Sequence, residues 1–346
     1  MTSRLTREVA QHPLVADDVP YAVLTPDDGT DDEALPLVLV LHGANSSREV
    51  LTMLQPIVDS MWLDGTLPRS VLASASTPTA GGFYIDKPGG DSWESFIATA
   101  FPRLLEDRYR IDPARISLMG SSMGGYGALK IAFAARARWQ AVAALAPALL
   151  PAPAPERLRP RNTLGVLAQL ANEMGGDGTD RRQFAANSVS HRLRANADRI
   201  RASGLPILLR CGDRDVFNMH DGTEQLHRDL WDLDIGHEYH LVFGADHLGP
   251  EALAGQRAAL AFIGTAQRAQ AGEDRTSSDR ELEAAWLRWA ANGRHGSPPN
   301  LDPTGVTGPT ALRVLLEPEL RERERRDPTA VRRFGVLLPH HDVDDG

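Results

Sequence analysis

The chain has 346 residues and a formal net charge of −9, with 42% hydrophobic and 24% charged residues. Length allows about two domains, and the composition is that of a core-forming globular protein. The acidic balance argues against nucleic acid as the main partner, a single cysteine excludes an intrachain disulfide, and no run is long enough to span a bilayer.

Residues 19–25 are short, apolar and β-like, and the acidic stretch 27–33 ends them in a loop. Residues 35–41 are nearly all apolar and predict a buried parallel strand. It stops at His42-Gly43-Ala44-Asn45. Residues 50–62 have mixed helical spacing around Pro56, and residues 71–75 predict another strand. The irregular stretch 79–93 holds two Gly pairs and the aromatics Phe83, Tyr84 and Trp93. Aromatics on such a loop either line a substrate pocket or plug the loop onto the core. Residues 94–109 are amphipathic and helical in spacing, and Asp112-Pro113 predicts a turn.

Residues 116–128 are the most informative stretch. Gly120-Ser121-Ser122-Met123-Gly124 fits G-x-S-x-G, with a β-like run before it and a helix-compatible run, 128–134, after it. In that context the pattern predicts a strained strand–turn–helix elbow that projects the Ser122 hydroxyl from the sheet. Ser122 then lies at a helix N-terminus, which favours developing negative charge. The Met123 N–H, directly after Ser122, is the expected first oxyanion donor. The loop after strand 35–41 is expected to supply the second, from Ala44 with Asn45 the near alternative.

Residues 141–146 predict a strand. The Pro- and Ala-rich segment 147–160 breaks regular structure, and 163–201 is mostly helical in pattern with a Gly-rich break at 175–178. This lid-like insertion, about 147–203, falls between two late strands. Residues 207–210 predict the next strand and lead into Cys211-Gly212-Asp213-Arg214-Asp215; Cys211 reads as a small buried residue. A helix over 223–233, a strand over 239–243 and a helix over 251–264 complete an alternating pattern, which implies βαβ units and a mostly parallel sheet. His247 follows the last strand and a glycine turn. The order Ser122, Asp215, His247 is that of a serine hydrolase triad: His247 as base, Asp215 to fix its tautomer, with Asp213 the competing acid.

The chain resembles the esterase D group of α/β-hydrolases, which includes S-formylglutathione hydrolases, feruloyl and acetylxylan esterases, and mycolyltransferases. The resemblance covers about residues 15–265. It rests on Val19-Pro-Tyr-Ala-Val-Leu-Thr-Pro26, residues 37–43, Gly82-Phe-Tyr-Ile-Asp86, Trp93-Glu94 and the elbow stretch to Leu129. It implies an α/β-hydrolase fold with helices on both faces of the sheet, Ser122 as nucleophile, His247 as base, Asp215 as acid, and Ala44 and Met123 as oxyanion donors. His42, Asn45, Tyr84 and Trp93 are the expected pocket residues. After His247, Leu248-Gly249-Pro250 departs from the aromatic residue that members often carry there.

Residues 266–346 lie outside the resemblance and are expected to form a helical extension. A polar linker spans 272–279, a helix carrying Trp286 and Trp289 spans 281–291, and the end is expected to be a disordered tail. A homodimer through this extension is one arrangement it allows.

The expected activity is cleavage of a small-molecule carboxylic ester or thioester through an acyl-enzyme on Ser122. No metal or organic cofactor is expected. The alternatives are an acyltransferase using the same residues, and a non-catalytic binding scaffold. The first ten residues carry no apolar signal segment, so a cytoplasmic location is the expectation.

Overall fold

The computed structural model describes residues 3–27, 34–134, 139–152, 155–175 and 181–271. The chain divides into two units after Gln267, and the first holds the architecture that follows up to the last four residues of the final helix. The expected linker, tryptophan helix and tail lie outside the described residues, as does any dimer surface built from them.

Two strands, β1 (Ser3–His12) and β2 (Val15–Pro26), form an antiparallel hairpin. The first strand is not evident from sequence, because its side chains alternate only weakly between buried and exposed. There follow β3 (Leu35–Leu41), α1 (Val50–Leu63) and β4 (Val71–Ala75). The amphipathic stretch then opens as α2 (Trp93–Ser95), widens into a π-helical turn (Phe96–Ala100), and closes as α3 (Phe101–Glu106). Next come β5 (Ile111–Ser121) and α4 (Met123–Ala132), the two arms of the elbow. Asp112-Pro113 does not make the expected turn. It lies within β5, where the register against β3 shifts, and such an irregularity is where a strand accepts proline.

After β6 (Val142–Leu145), the described residues of the insertion carry four short α-helices: α5 (Gly165–Gly175), α6 (Arg181–Asn187), α7 (Val189–Ala195) and α8 (Ala197–Ser203). The chain ends its first unit through β7 (Ile207–Gly212), α9 (Met219–Asp232), β8 (Glu238–Val242) and α10 (Pro250–Ala271).

The eight strands form one sheet in the order β1-β2-β4-β3-β5-β6-β7-β8. β2 runs antiparallel to β1 and β4, and the strands from β4 to β8 are parallel. β3 shows why its apolar run is unbroken. Leu37, Leu39 and Leu41 enter the core on one face, and Val38 and Val40 enter the core on the other. The first face is covered by α3, α4, α9 and the insertion. The second is covered by α1, through Leu51, Leu54, Val58 and Met61, and by α10, through Ala259, Leu260 and Ile263. Because β3, β5, β6, β7 and β8 are parallel, the loops that follow them share one rim, where ligands bind in such sheets. Among the described residues no helix is long and apolar enough to cross a membrane.

Candidate active site

The rim is built around the turn between β5 and α4. Ser122 has φ 56° and ψ −118°, a backbone conformation that costs a non-glycine residue of order 1–3 kcal/mol. Surrounding hydrogen bonds hold it there. The Ser122 N–H donates to Leu145 O at 2.9 Å, and its carbonyl accepts from the N–H groups of Tyr126 at 3.1 Å and Ala148 at 2.9 Å. The two motif glycines are required by space. A Cβ on Gly124 would fall 1.9 Å from Leu41 O, and one on Gly120 would fall 2.2 Å from Gly124 O. β3 and α4 approach that closely only without side chains there.

Two further rim loops meet this turn. Asp215, in the loop after β7, has a fully buried side chain. Its Oδ1 accepts from Phe217 N–H at 2.9 Å and Met219 N–H at 3.4 Å, and its Oδ2 lies 2.7 Å from His247 Nδ1. The Phe217 ring meets the imidazole edge to face at 4.9 Å. His247 is thus fixed from two sides, by a carboxylate on one ring nitrogen and an aromatic ring on its flank. Asp213 serves elsewhere. Its Oδ1 accepts from Gly244 N–H at 2.6 Å, closing the turn after β8. Cys211 lies buried behind Asp215, with Sγ 4.0 Å from Oδ2. Burial, and then the Asp215 charge, push its thiol up to about 12, so it stays neutral.

The loop after β3 forms the opposite wall. A Cβ on Gly43 would come within 3.6 Å of Ser122 Cβ, so this backbone runs directly beside the serine. The Asn45 N–H is taken by Thr79 Oγ1 at 2.8 Å. Among the described residues the Ala44 N–H has no partner. Met123 is the first residue of α4, where a backbone N–H has no intrahelical acceptor.

Ser122, His247, Ala44 and Asn45 line one cavity of about 640 Å³. Its walls are mainly apolar, with Val50 and Met53 of α1, Val166 of α5, Phe217 and Leu253 contributing. Four residues were expected in the pocket, and the structure separates them. Asn45 and His42 are on the cavity wall. The His42 ring is nevertheless engaged on both nitrogens. Nε2 accepts from Thr77 N–H at 2.8 Å, which leaves the proton on Nδ1, 2.8 Å from Gly43 O. Burial holds its pKa below the usual histidine value. His42 therefore braces the wall in its neutral form.

Tyr84 and Trp93 do not line the cavity, which corrects the sequence expectation. Tyr84 is fully buried, donates to His42 O at 3.0 Å, and packs where a Gly127 Cβ would be 2.6 Å from its ring. Trp93 is buried against Phe96. Both rings fasten the 79–93 loop to the core, because the loop is long and needs apolar anchors.

The residues that sequence reasoning missed come from α5, α10 and the Asp215 loop. Gly165, Val166 and Gln169 bring the insertion to the cavity, and Gln256 of α10 donates to Ser121 Oγ at 2.8 Å. Only Phe217, two positions after Asp215, carried a local signal. The insertion is tied to the elbow helix by a buried ionic cluster. Lys130 of α4 has no solvent exposure, and its Nζ lies 2.9 Å from both Glu94 Oε2 and Asn187 Oδ1. Arg192 of α7 joins Glu94 Oε2 at 2.9 Å. Burial alone would raise Glu94, but Lys130 and Arg192 outweigh it and hold the carboxyl below its usual range; burial lowers Lys130 to about 8.

A mostly parallel eight-stranded sheet, an elbow serine, and an aspartate–histidine pair on the same rim define an α/β-hydrolase. Solved structures of that fold agree. The chain superposes on a ferulic acid esterase with a TM-score of 0.62 at 19% identity, covering 77% of this chain and 98% of that one. On an S-formylglutathione hydrolase from Agrobacterium tumefaciens the TM-score is 0.61 at 19% identity, covering 77% and 96%. The esterase family model matches residues 15–229, more than half of the chain, and the protein belongs to that family. A 75-residue segment is 37% identical to the S-formylglutathione hydrolase of Bos taurus; it covers 20% of this chain and about a quarter, 26%, of that relative.

Proposed function

We propose that the protein is a serine esterase or thioesterase that forms an acyl-enzyme on Ser122. The observation that carries this reading is the 2.7 Å contact between Asp215 Oδ2 and His247 Nδ1, on the same cavity as a serine held at φ 56°. A carboxylate accepting from Nδ1 fixes the imidazole with its lone pair on Nε2, the form a general base needs.

The reaction then runs in two halves. The Ser122 hydroxyl attacks the acyl carbonyl and passes its proton to His247 Nε2. The tetrahedral oxyanion is held by the N–H groups of Met123 and Ala44. Ala44 is favoured over Asn45 because the Asn45 N–H already donates to Thr79 Oγ1. Breakdown returns the proton to the departing alcohol or thiol and leaves the acyl group on Ser122. Water, activated by His247, releases the acid. Asp215 holds the ring through Nδ1 and stabilises the imidazolium. The reading needs no metal or organic cofactor.

Intact mass after treatment with a fluorophosphonate tests it. One adduct is expected on the wild type, none on Ser122→Ala, and slow addition on His247→Ala. An adduct that persists on Ser122→Ala overturns the assignment of the nucleophile.

A further inference from the structure

A polar group on the cavity wall has no role in the acyl-enzyme chemistry. Arg210 is on β7, its side chain is 20% exposed, and it lines the same cavity as Ser122. Among the described residues its guanidinium donates no hydrogen bond, and its single ionic neighbour is Glu251, at 3.9 Å. That is beyond hydrogen-bond distance. Glu251 is itself 55% exposed. Arg210 therefore lines the cavity with a guanidinium whose five donors no protein acceptor among the described residues takes up.

Its place in the sheet is defined. Ser121 of β5 pairs with Leu145 of β6, and Leu145 pairs with Arg210 of β7. Residues in one cross-strand row share a face. α10 crosses this row: Gln256 bonds to Ser121 Oγ, and Gly255 lies over Arg210. A Cβ on Gly255 would be 3.4 Å from Arg210 Nε, an ordinary contact, so α10 packs directly beside the arginine. Two strand spacings put the Arg210 backbone about 10 Å from that of Ser121. Between them the wall is apolar, formed by Leu145.

We propose that Arg210 is an anion-recognition residue of the substrate cavity. It selects esters that carry a carboxylate separated from the scissile bond by a short apolar spacer. The proposal rests on the acyl-enzyme reading of Ser122. The planar guanidinium receives a carboxylate bidentately, while Leu145 and the α1 side of the cavity pack the spacer. The substrate carboxylate takes the place that Glu251 only approaches. The charge can sit on the acyl or the alcohol side of the ester, and two pairs of probes distinguish these.

The acyl-side pair is monoethyl adipate against ethyl hexanoate. The alcohol-side pair is 4-acetoxybenzoate against its methyl ester. Wild type is expected to prefer the anionic member of one pair in kcat/KM. In Arg210→Met that preference falls roughly 10- to 100-fold, the range for losing a charged hydrogen-bonding partner. Glu251→Gln removes the competing carboxylate and raises the preference, an opposite sign that loss of folding does not produce. No preference in either pair, or one that Arg210→Met leaves intact, overturns the proposal. Equilibrium binding of the acyl-side pair to Ser122→Ala reads the subsite without turnover. Tighter binding of monoethyl adipate there, lost on adding Arg210→Met, supports the subsite even where the acyl-enzyme reading fails; equal binding of the two overturns an acyl-side subsite.

Discussion

Replacing Asp215 by Asn is the sharpest perturbation of the site, because the structure confines its effect to one hydrogen bond. Oδ1 accepts from the N–H groups of Phe217 and Met219, and an asparagine oxygen keeps both bonds. Oδ2 is replaced by an NH₂ group facing His247 Nδ1, now 2.7 Å away. Two donors cannot share that contact, so the imidazole turns to the tautomer that holds its proton on Nε2. The base is then lost while the loop is kept. In serine hydrolases the wrong tautomer costs about 10⁴ in kcat, or ~5 kcal/mol of transition-state stabilisation. The assay is steady-state hydrolysis of an activated aryl ester, together with the fluorophosphonate labelling rate and the urea midpoint. The expected result is a kcat about four orders of magnitude down with the urea midpoint little changed. Asp213→Asn is the control. Its Oδ1 bond to Gly244 N–H survives the change, so activity should stay within about twofold. Should Asp215→Asn keep wild-type activity, Asp215 is not the acid of the site, and the 2.7 Å contact is structural.

Three other outcomes follow from packing and charge. Ser122→Gly relieves the φ 56° strain and is expected to raise stability by roughly 1–2 kcal/mol in urea while abolishing labelling; a loss of stability refutes the strain argument. Lys130→Met leaves Asn187 Oδ1 and part of Glu94 without a partner in a buried site, at a cost of about 3 kcal/mol in urea unfolding; a cost under about 1 kcal/mol refutes it. His42 has a folded pKa below its unfolded value, so the unfolded chain binds the extra proton first. Its contribution is full above the unfolded pKa of about 6.5 and is lost as pH falls through the lower folded value. His42→Gln is expected to flatten the fall in urea midpoint below about pH 6.5, and an unchanged slope assigns that fall to other groups, such as His227 and His237, which burial lowers in the same direction.

The elbow was readable because its requirements are local and steric. Gly120 and Gly124 stand where any Cβ would strike backbone, and that need is written within five residues. β3, β4, β6 and β7 were readable for a related reason: burial on both faces leaves nearly unbroken apolar runs. β1 was not, since an edge strand with half-exposed faces has no strong period. The aromatic loop left pocket and plug both open because sequence reports that Tyr84 and Trp93 are apolar on a loop, but not which way they point. Both point to the core.

The cavity wall shows the same division at the level of function. The chemistry-bearing residues lie at strand ends, where motif and order betray them. The residues that would select a substrate lie on three segments far apart in the chain: Met53 on α1, Val166 on α5 and Arg210 on β7. Each alone reads as an ordinary helix or strand residue. Arg210 in particular sits in a strand whose neighbours are buried and apolar, Leu208, Leu209 and Cys211. A charge there has a desolvation cost that a leucine would avoid. That cost is better explained by what the cavity binds than by what the fold needs.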